Sequence, residues 1–209
     1  MTSGTHTVIV FASWMEAEPF LRKTRADCLR DQPYGLFRIR NRELLVLICG
    51  MGPQNASRAM AFLFQHFSIA RVCNCGVAGA LNDALRIGDI NSVHFVAHGK
   101  DRNDLNFVYL PTWPHRAGNQ PCRLISVDQG LFESYGRRYW QGFADLVDME
   151  GAAIATACAK ALVPCHIHKA VSDHACERTV LQKNLGRVSA DMADWLCKHL
   201  PELPVREAA

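Results

Sequence analysis

Two carboxylates stand where a helix would begin and where the following strand would end. Glu150 precedes the small-residue run that starts at Gly151, and Asp173 follows an apolar run that ends at Ser172. Because open α/β sheets bind ligands outside the carboxyl ends of their strands, both acids can face one cleft. Paired carboxylates suit glycosidic chemistry, in which positive charge builds on the sugar and the leaving group takes up a proton.

Each acid also has a purely structural interpretation. Ser172 and Asp173 are residue types that often cap a helix or a turn. A glutamate such as Glu150, in a first helical turn beside a core methionine at position 149, complements the helix dipole. The two acids alone therefore leave both interpretations open, and the sequence segments around them are needed to decide between the two.

Three segments resemble the nucleoside phosphorylase and nucleosidase superfamily, in that family's order. The segment 148–155, with Ser172-Asp173 downstream, resembles its signature, and the segment 74–81 resembles its glycine-rich loop. Near the start, the segment 15–18 resembles the Met-Glu-x-Glu of methylthioadenosine/S-adenosylhomocysteine nucleosidases. The similarity spans roughly residues 7 to 200, and it implies one nucleoside phosphorylase-like domain over residues 1–209.

The resemblance implies a function for each of the two acids. Asp173 would protonate the purine at N7 as the glycosidic bond breaks, with Ser172 orienting its carboxylate. Glu150 would accept hydrogen bonds from the ribose 2′- and 3′-hydroxyls, and Met149 would pack under the ribose. Those hydrogen bonds would strengthen as positive charge develops on the sugar.

The attacking water of the hydrolytic branch needs a third acid, and the resemblance assigns it to Glu18. Glu16 is a rival assignment two positions earlier, and Pro19 follows Glu18 directly. An acidic helix N-terminus would explain the same residues without any catalytic function.

Backbone amides from two glycine-containing segments could line a phosphate or a sugar. These segments are Gly76-Val77-Ala78-Gly79 and Gly50-Met51-Gly52. The resemblance assigns the first segment to the ribose and base pocket. Neither follows a dinucleotide fingerprint, so no nucleotide cofactor is expected. Tight packing between strand and helix would explain the glycines equally well.

The chain departs from the family's pattern in ways that leave the nucleophile and the base open. Hexameric phosphorylases hold phosphate with an Arg and a Ser at positions that match Asn74 and Val77 here. Losing both donors favours water as the nucleophile, although Val77 also replaces a Ser that is usual in the nucleosidases. The position of the aromatic residue that commonly stacks on adenine falls at Gln129-Gly130-Leu131 here, none of which is aromatic, although Phe132 is close by. This leaves open a less well stacked base or a different base.

The leading hypothesis is a purine nucleosidase that hydrolyses the N-glycosidic bond of an adenine nucleoside, without a cofactor or a metal. A phosphate-dependent phosphorylase of the same fold, including the adenosylhopane type, is the first alternative. A non-catalytic nucleoside-binding relative is the second. A zinc site is disfavoured, because strand alternation puts Cys165 and Ile167 on one face and His166 and His168 on the other.

The elements that position these residues alternate along the chain. Apolar patterns predict strands at 7–12, 36–40, 43–49, 69–75, 90–97, 123–127, 146–149 and 165–171, and helices at 16–25, 55–67, 151–162 and 188–199. Such alternation predicts an α/β fold with one domain, in which helices flank a central mixed, mostly parallel, twisted sheet.

Composition, net charge and cysteine content limit the binding partners and the cellular compartment that are expected. The 209 residues, 49% hydrophobic and 21% charged, suit a soluble globular domain. A net charge of +3 with scattered Lys and Arg gives no indication of nucleic-acid binding, and no apolar run is long enough for a membrane span. Nine cysteines without a Cys-x-x-Cys motif predict free thiols and a cytoplasmic location. The family resemblance implies a homo-oligomer, with the irregular segment 98–120 as part of the wall that closes the pocket.

Overall fold

Ten strands and five helices make up the part of the chain that the computed structural model describes, namely residues 5–40, 42–103, 105, 107–110 and 122–199. The strands are β1 His6–Phe11, β2 Asp27–Cys28, β3 Gly35–Ile39, β4 Leu44–Ile48, β5 Ile69–Ala80, β6 Ile90–His98, β7 Val108–Tyr109, β8 Cys122–Ser126, β9 Leu146–Asp148 and β10 Cys165–Asp173. The helices are α1 Trp14–Thr24, α2 Pro53–His66, α3 Ser134–Trp140, α4 Gly151–Lys160 and α5 Arg178–His199. Much of the predicted 98–120 excursion lies outside the described residues.

One mixed sheet contains all ten strands. Their order is β10-β6-β8-β9-β5-β1-β4-β3-β2, with β7 on β6, and β10 pairs with β5 as well. This extra pairing closes β5, β9, β8, β6 and β10 into a ring. The pairs β1–β4, β1–β5 and β5–β10 are parallel, so the carboxyl ends of these four strands share one edge. The predicted α/β fold with a mixed sheet and flanking helices is confirmed.

Alternate residues of β1 enter two apolar layers on opposite faces of the sheet. Val8 and Val10 pack in a cluster with residues of α2 and α4, whereas Ile9 and Phe11 pack with residues of α1 and α5. All four side chains are fully buried, as expected for a central strand covered on both faces. No helix of the described residues combines the length and the apolar character that crossing a membrane requires.

Helix α1 starts at Trp14, two residues before the predicted start at Glu16, because Ser13 caps it. The Ser13 hydroxyl accepts from the backbone N–H of Glu16 at 3.4 Å, and the Glu16 carboxylate accepts from the N–H of Ser13 at 2.9 Å. This reciprocal arrangement is a capping box. It fixes Glu16 in the first turn, directly after the carboxyl end of β1.

Two predicted elements prove longer than the sequence pattern indicated. β5 continues to Ala80, so the predicted glycine-rich loop is strand, held between β10 and β9. α5 begins at Arg178 rather than Val188, and its first turns are largely polar and exposed. The short elements β2, β7 and α3 were not predicted, since two-residue strands and a seven-residue helix leave little periodic signal.

Candidate active site

A pocket of about 170 Å³ opens at the shared carboxyl edge of β1, β5 and β10. The predicted binding residues and the predicted acid all line it: Met51, Val77, Ala78, Gly79, Met149, Glu150, Ser172 and Asp173. A larger groove of about 780 Å³ lies between α2 and α4, but none of its lining residues is acidic. Since glycosidic chemistry needs carboxyl groups, the smaller pocket is the one equipped for it.

Glu16 reaches into the pocket from the first turn of α1. One carboxylate oxygen accepts from the backbone N–H of Val77 at 3.0 Å, and the other accepts from the Ser13 hydroxyl at 2.9 Å. Gly76 makes this approach possible, because a Cβ there would lie 2.5 Å from the Glu16 carboxylate, and its φ of +154° disfavours other residues. The Glu16 side chain is thus buried and fixed at both oxygens.

Glu18, the predicted water base, does not line the pocket, whereas Glu16 does. Its carboxylate faces Arg22 at 3.3 Å on the outer surface of α1, with 34% of its side-chain surface exposed. Successive helical residues are rotated by about 100°, so side chains two positions apart point in nearly opposite directions. Only one of Glu16 and Glu18 can face the sheet, and the capping box selects Glu16.

Glu150 occupies the position just before α4, where its side chain turns back toward α2. Its Oε1 atom accepts from the backbone N–H of Gly52 at 2.6 Å, and the residue is only 6% exposed. Burial, together with the nearby charge of Asp148, raises the pKa of Glu150 to about 7. Lys169 and the N–H of Gly52 act in the opposite direction. The carboxyl group therefore titrates near neutral pH.

A buried ion pair lies beneath this end of the pocket, and the sequence patterns did not indicate it. The ammonium of Lys169 is 2.8 Å from the Asp148 carboxylate, and each side chain is 2% exposed. The Ser126 hydroxyl and the backbone N–H of Gly151 also donate to Asp148. Burial alone would lower the pKa of Lys169, but the carboxylates around it raise it well above its usual range. A lone lysine inside the apolar run 165–171 was the available signal.

Asp173, the last residue of β10, also lines the pocket. One carboxylate oxygen accepts from the Ser172 hydroxyl at 2.6 Å, and the other accepts from the backbone N–H of Ala175 at 2.8 Å. Ala175 adopts a left-handed conformation with φ of +53° and packs against Gly79, where a Cβ would lie 2.9 Å from the alanine methyl. The turn thus holds the carboxyl group with neutral donors.

Apolar side chains make up much of the remaining pocket lining. Leu181 and Leu185 of α5 line the pocket beside Phe132. The Phe132 ring lies over Gly130, where a Cβ would be 2.7 Å from the ring, and the Arg178 guanidinium lies 4.8 Å from the ring centroid. Positions 129–131 carry no aromatic residue, but Phe132 next to them contributes an aromatic ring to the pocket wall.

Cys73, Cys75 and His168 are buried and do not line the pocket. The Cys73 and Cys75 sulfurs are 3.7 Å apart, and the His168 ring contacts the Ser92 hydroxyl at 3.0 Å. Within the described residues, no three His, Cys, Asp or Glu side chains are arranged to hold a metal ion.

Comparisons with known proteins identify the family of this chain. A sequence model of the phosphorylase superfamily matches residues 8–112 and 119–200. The chain is 28% identical to a 5′-methylthioadenosine/S-adenosylhomocysteine nucleosidase of Maridesulfovibrio salexigens, covering 90% of this chain and 96% of the relative. It is 24% identical to an aminodeoxyfutalosine nucleosidase of Campylobacter jejuni, covering 81% of this chain and 87% of the relative.

The fold is also that of solved structures. A 5′-methylthioadenosine nucleosidase of Arabidopsis thaliana in apo form superimposes with a TM-score of 0.84 at 22% sequence identity. The match covers 97% of each chain. At this level of identity the likeness describes the architecture, and the chemistry must be argued from the residues of the pocket.

Proposed function

This chain belongs to the phosphorylase superfamily, and from that premise we propose that its pocket hydrolyses the N-glycosidic bond of an adenine nucleoside. The enzyme is a purine nucleosidase. The observation that carries the assignment is that Glu16, Glu150 and Asp173, from three separate segments, all line one pocket. Carboxylates on both sides of a nucleoside can stabilise an oxocarbenium-like transition state and protonate the leaving group.

Asp173 is the proposed general acid. Its protonated carboxyl group donates to N7 of the purine as the bond to the sugar breaks, so that the base leaves neutral. A positioned acid of this kind contributes about 10²–10⁴-fold in rate. Ser172 and the N–H of Ala175 hold the carboxyl group in one orientation, which supports this function. A helix cap would need no such pocket around it.

Glu150 is the proposed ribose ligand. As a carboxylate it accepts hydrogen bonds from the 2′- and 3′-hydroxyls, and it stabilises the positive charge that develops on the sugar. The N–H of Gly52 occupies part of its Oε1 and orients the group. Met149, beside it in the pocket wall, provides an apolar surface for the ribose.

Glu16 replaces Glu18 as the proposed base for the attacking water. The carboxylate is buried and anchored by Ser13 and by the N–H of Val77, so it presents a fixed oxygen to a water beside the sugar. We call the part of the pocket formed by Glu16, Asp148 and Glu150 the sugar end, and the part formed by Asp173, Phe132, Leu181 and Leu185 the base end. Val77 takes part through its backbone, and every residue except proline has that N–H. The missing serine hydroxyl at this position is therefore no argument against catalysis.

Water is favoured over phosphate as the nucleophile by the charges of the pocket. Among the described residues that line it, none is Arg or Lys, whereas three are Asp or Glu at positions 16, 148 and 150 on the sugar side. Asn74, at the position of a phosphate-binding arginine, is buried and donates to the carbonyl of Val10. A phosphate dianion would be repelled at this end.

We further propose that Phe132 stacks on the base. Its ring borders the same apolar wall as Leu181 and Leu185, next to the proposed acid. Apolar walls with a few placed polar groups are typical of small-molecule sites. The 5′-substituent of the substrate is to be identified by experiment. The first candidates are 5′-methylthioadenosine, S-adenosylhomocysteine and aminodeoxyfutalosine, because the relatives are named as nucleosidases of these compounds.

The proposed enzyme is a homo-oligomer, a dimer or larger. The groove between α2 and α4 is apolar, with Phe64, Val96 and Ala157 in its wall, and we propose that a second copy of the chain covers it. An Ala157→Arg substitution should then yield monomers in light scattering after gel filtration. A wild-type protein that is monomeric at micromolar concentration would contradict the proposal.

We also propose a cytoplasmic location. All nine cysteines are free thiols, and six of them are buried, including the adjacent pair Cys73 and Cys75. Thiols survive best in a reducing compartment. Cell fractionation with detection of the protein is the test, and enrichment in an oxidising compartment would contradict it.

A nucleoside panel tests the proposed reaction. The purified protein is incubated with 5′-methylthioadenosine, S-adenosylhomocysteine, aminodeoxyfutalosine, adenosine and inosine, and free base is measured by chromatography. We expect release of adenine from at least one adenine nucleoside. Binding of these compounds without any release of base would instead support a non-catalytic nucleoside-binding protein.

A further inference from the structure

The residue before the proposed general acid lies in a β-bulge. β10 pairs with β5 so that Val171 faces Ala78 and Asp173 faces Gly79, which leaves Ser172 without a register partner in the backbone ladder, although its hydroxyl donates to the carbonyl of Ala78 at 3.3 Å. An extra residue of this kind interrupts the backbone ladder and redirects the side chains beside it. The bulge therefore determines where the Asp173 carboxyl group points, and contacts outside the ladder must hold it.

Asn184, in the second turn of α5, supplies such a contact. Its Nδ2 atom donates to the carbonyl oxygen of Ser172 at 3.1 Å and to that of Val180 at 3.0 Å. Both partners are acceptors, so the two hydrogens of one amide group join the bulge to the helix. Ser172 is 1% exposed, and a buried carbonyl without its donor is costly, so the contact constrains the bulge strongly.

The helix that carries Asn184 is also a wall of the pocket. Leu181 and Leu185, on either side of it in the sequence, line the base end, whereas Asn184 itself does not. Its amide thus ties the turn that bears the proposed acid to the wall that faces the base. Asn184 can affect the reaction only through these neighbours, because it does not touch the space that the substrate would occupy.

We propose that Asn184 is a positioning residue for the general acid, holding the Ser172 bulge so that the Asp173 carboxyl group stays aimed at the leaving base. This inference rests on the proposed function of Asp173. Misplacement of a catalytic group by about 1 Å can cost about 10²-fold in rate. Removal of the amide therefore lowers kcat by about 10–100-fold and leaves KM nearly unchanged, since sugar contacts at the other end persist.

The experiment compares Asn184→Ala with Lys183→Ala, its exposed neighbour on the same helix, in steady-state release of adenine. We expect a loss of kcat in the first variant and wild-type kinetics in the second. Circular dichroism establishes that each variant is folded. Asn184→Asp, which has the same shape but no N–H donor, takes the place of the alanine variant if that variant is unfolded. Two unfolded variants would show that the amide serves stability alone, and would overturn the proposal.

A double-mutant cycle separates positioning from a general structural effect. If Asn184 acts through Asp173, adding its substitution to Asp173→Asn lowers kcat no further, within about 0.5 kcal/mol, or roughly twofold. Additive losses, or an unchanged kcat in the single variant, overturn the inference. Failure of the proposed function looks different, because Asp173→Asn alone would then keep full turnover.

Discussion

The two ends of the pocket use the same chemical group in opposite surroundings. At the sugar end, Glu16 and Glu150 lie near Asp148, and a single buried ammonium, that of Lys169, serves all three. At the base end, the donors to Asp173 found among the described residues are neutral, a hydroxyl and a backbone N–H. The surroundings of a carboxyl group thus decide its proposed function. Carboxylate charge is retained at the sugar end, whereas a proton is transferred to the leaving base at the base end.

Removal of the acid is expected to have the largest effect on the comparison. Asp173→Asn keeps the shape but cannot protonate the purine, so kcat should fall by about 10³-fold with little change in KM. Steady-state adenine release measures the loss. Asp191→Asn, at an exposed position on α5, is the control and should behave like the wild type. A kcat within threefold of the wild type for Asp173→Asn would remove the acid from the account.

Loss of the Lys169 ammonium should lower the stability of the fold rather than the rate of one step of the reaction. Lys169→Met leaves Asp148 buried and unpaired, which should lower the free energy of unfolding by about 3 kcal/mol. Urea unfolding at neutral pH measures it, with the exposed Lys183→Met as the matched control. Equal stability of the two variants would mean that the sugar end does not depend on its cation.

The water base should show the next largest effect, and its neighbour should show none. Glu16→Gln removes the proposed base and should lower kcat by about 10²-fold. Glu18→Gln alters only a surface contact with Arg22 and should stay within about twofold, because such pairs contribute at most about 1 kcal/mol to stability. The two variants are compared under the same assay. A larger loss for Glu18→Gln would restore the assignment expected from the sequence.

The remaining kinetic effect is a pH dependence that belongs to the sugar end alone. Because burial raises the pKa of Glu150 to about 7, the ribose ligand loses its charge below that pH. We expect kcat/KM to fall by about tenfold per pH unit below about 7. This fall of kcat/KM should be absent from Glu150→Gln, whose activity is lower at every pH. A wild-type profile that stays flat from pH 7 to pH 5 would contradict this origin.

The same shift has a consequence for stability, and its sign is opposite to the usual carboxylate case. The folded protein binds a proton at Glu150 more tightly than the unfolded chain, whose carboxyl group titrates near 4.5. Between these two pH values the folded state holds more protons, so this group's contribution to stability decreases as the pH rises. Urea unfolding across this range should show a shallower decline for Glu150→Gln than for the wild type.

The acids on β10 and before α4 were predictable from sequence because they follow apolar runs inside a recognisable family pattern. Glu16 was predictable as well, since Ser13 three residues before it forms the spacing of a capping box, but the family's Met-Glu-x-Glu pattern favoured Glu18. The capping box places Glu16, and not Glu18, in the wall of the pocket.

Other parts of the pocket could not be read from the chain because their partners are distant in sequence. Lys169 meets Asp148 only when β9 and β10 come together, and Phe132 can cover the pocket wall only because position 130 is glycine. Asn184 lies in the polar first half of α5, which apolar periodicity does not mark. Tertiary contacts of this kind depend on topology, and local patterns do not contain it.

The identity of the nucleophile tests the central claim most directly. The wild-type enzyme is given its best adenine nucleoside in the presence and absence of saturating phosphate, and the sugar product is identified by mass spectrometry and phosphorus NMR. A pocket with carboxylates crowded at the sugar end predicts free sugar in both cases, formed at the same rate. Base release that requires phosphate and yields a sugar 1-phosphate would contradict the account.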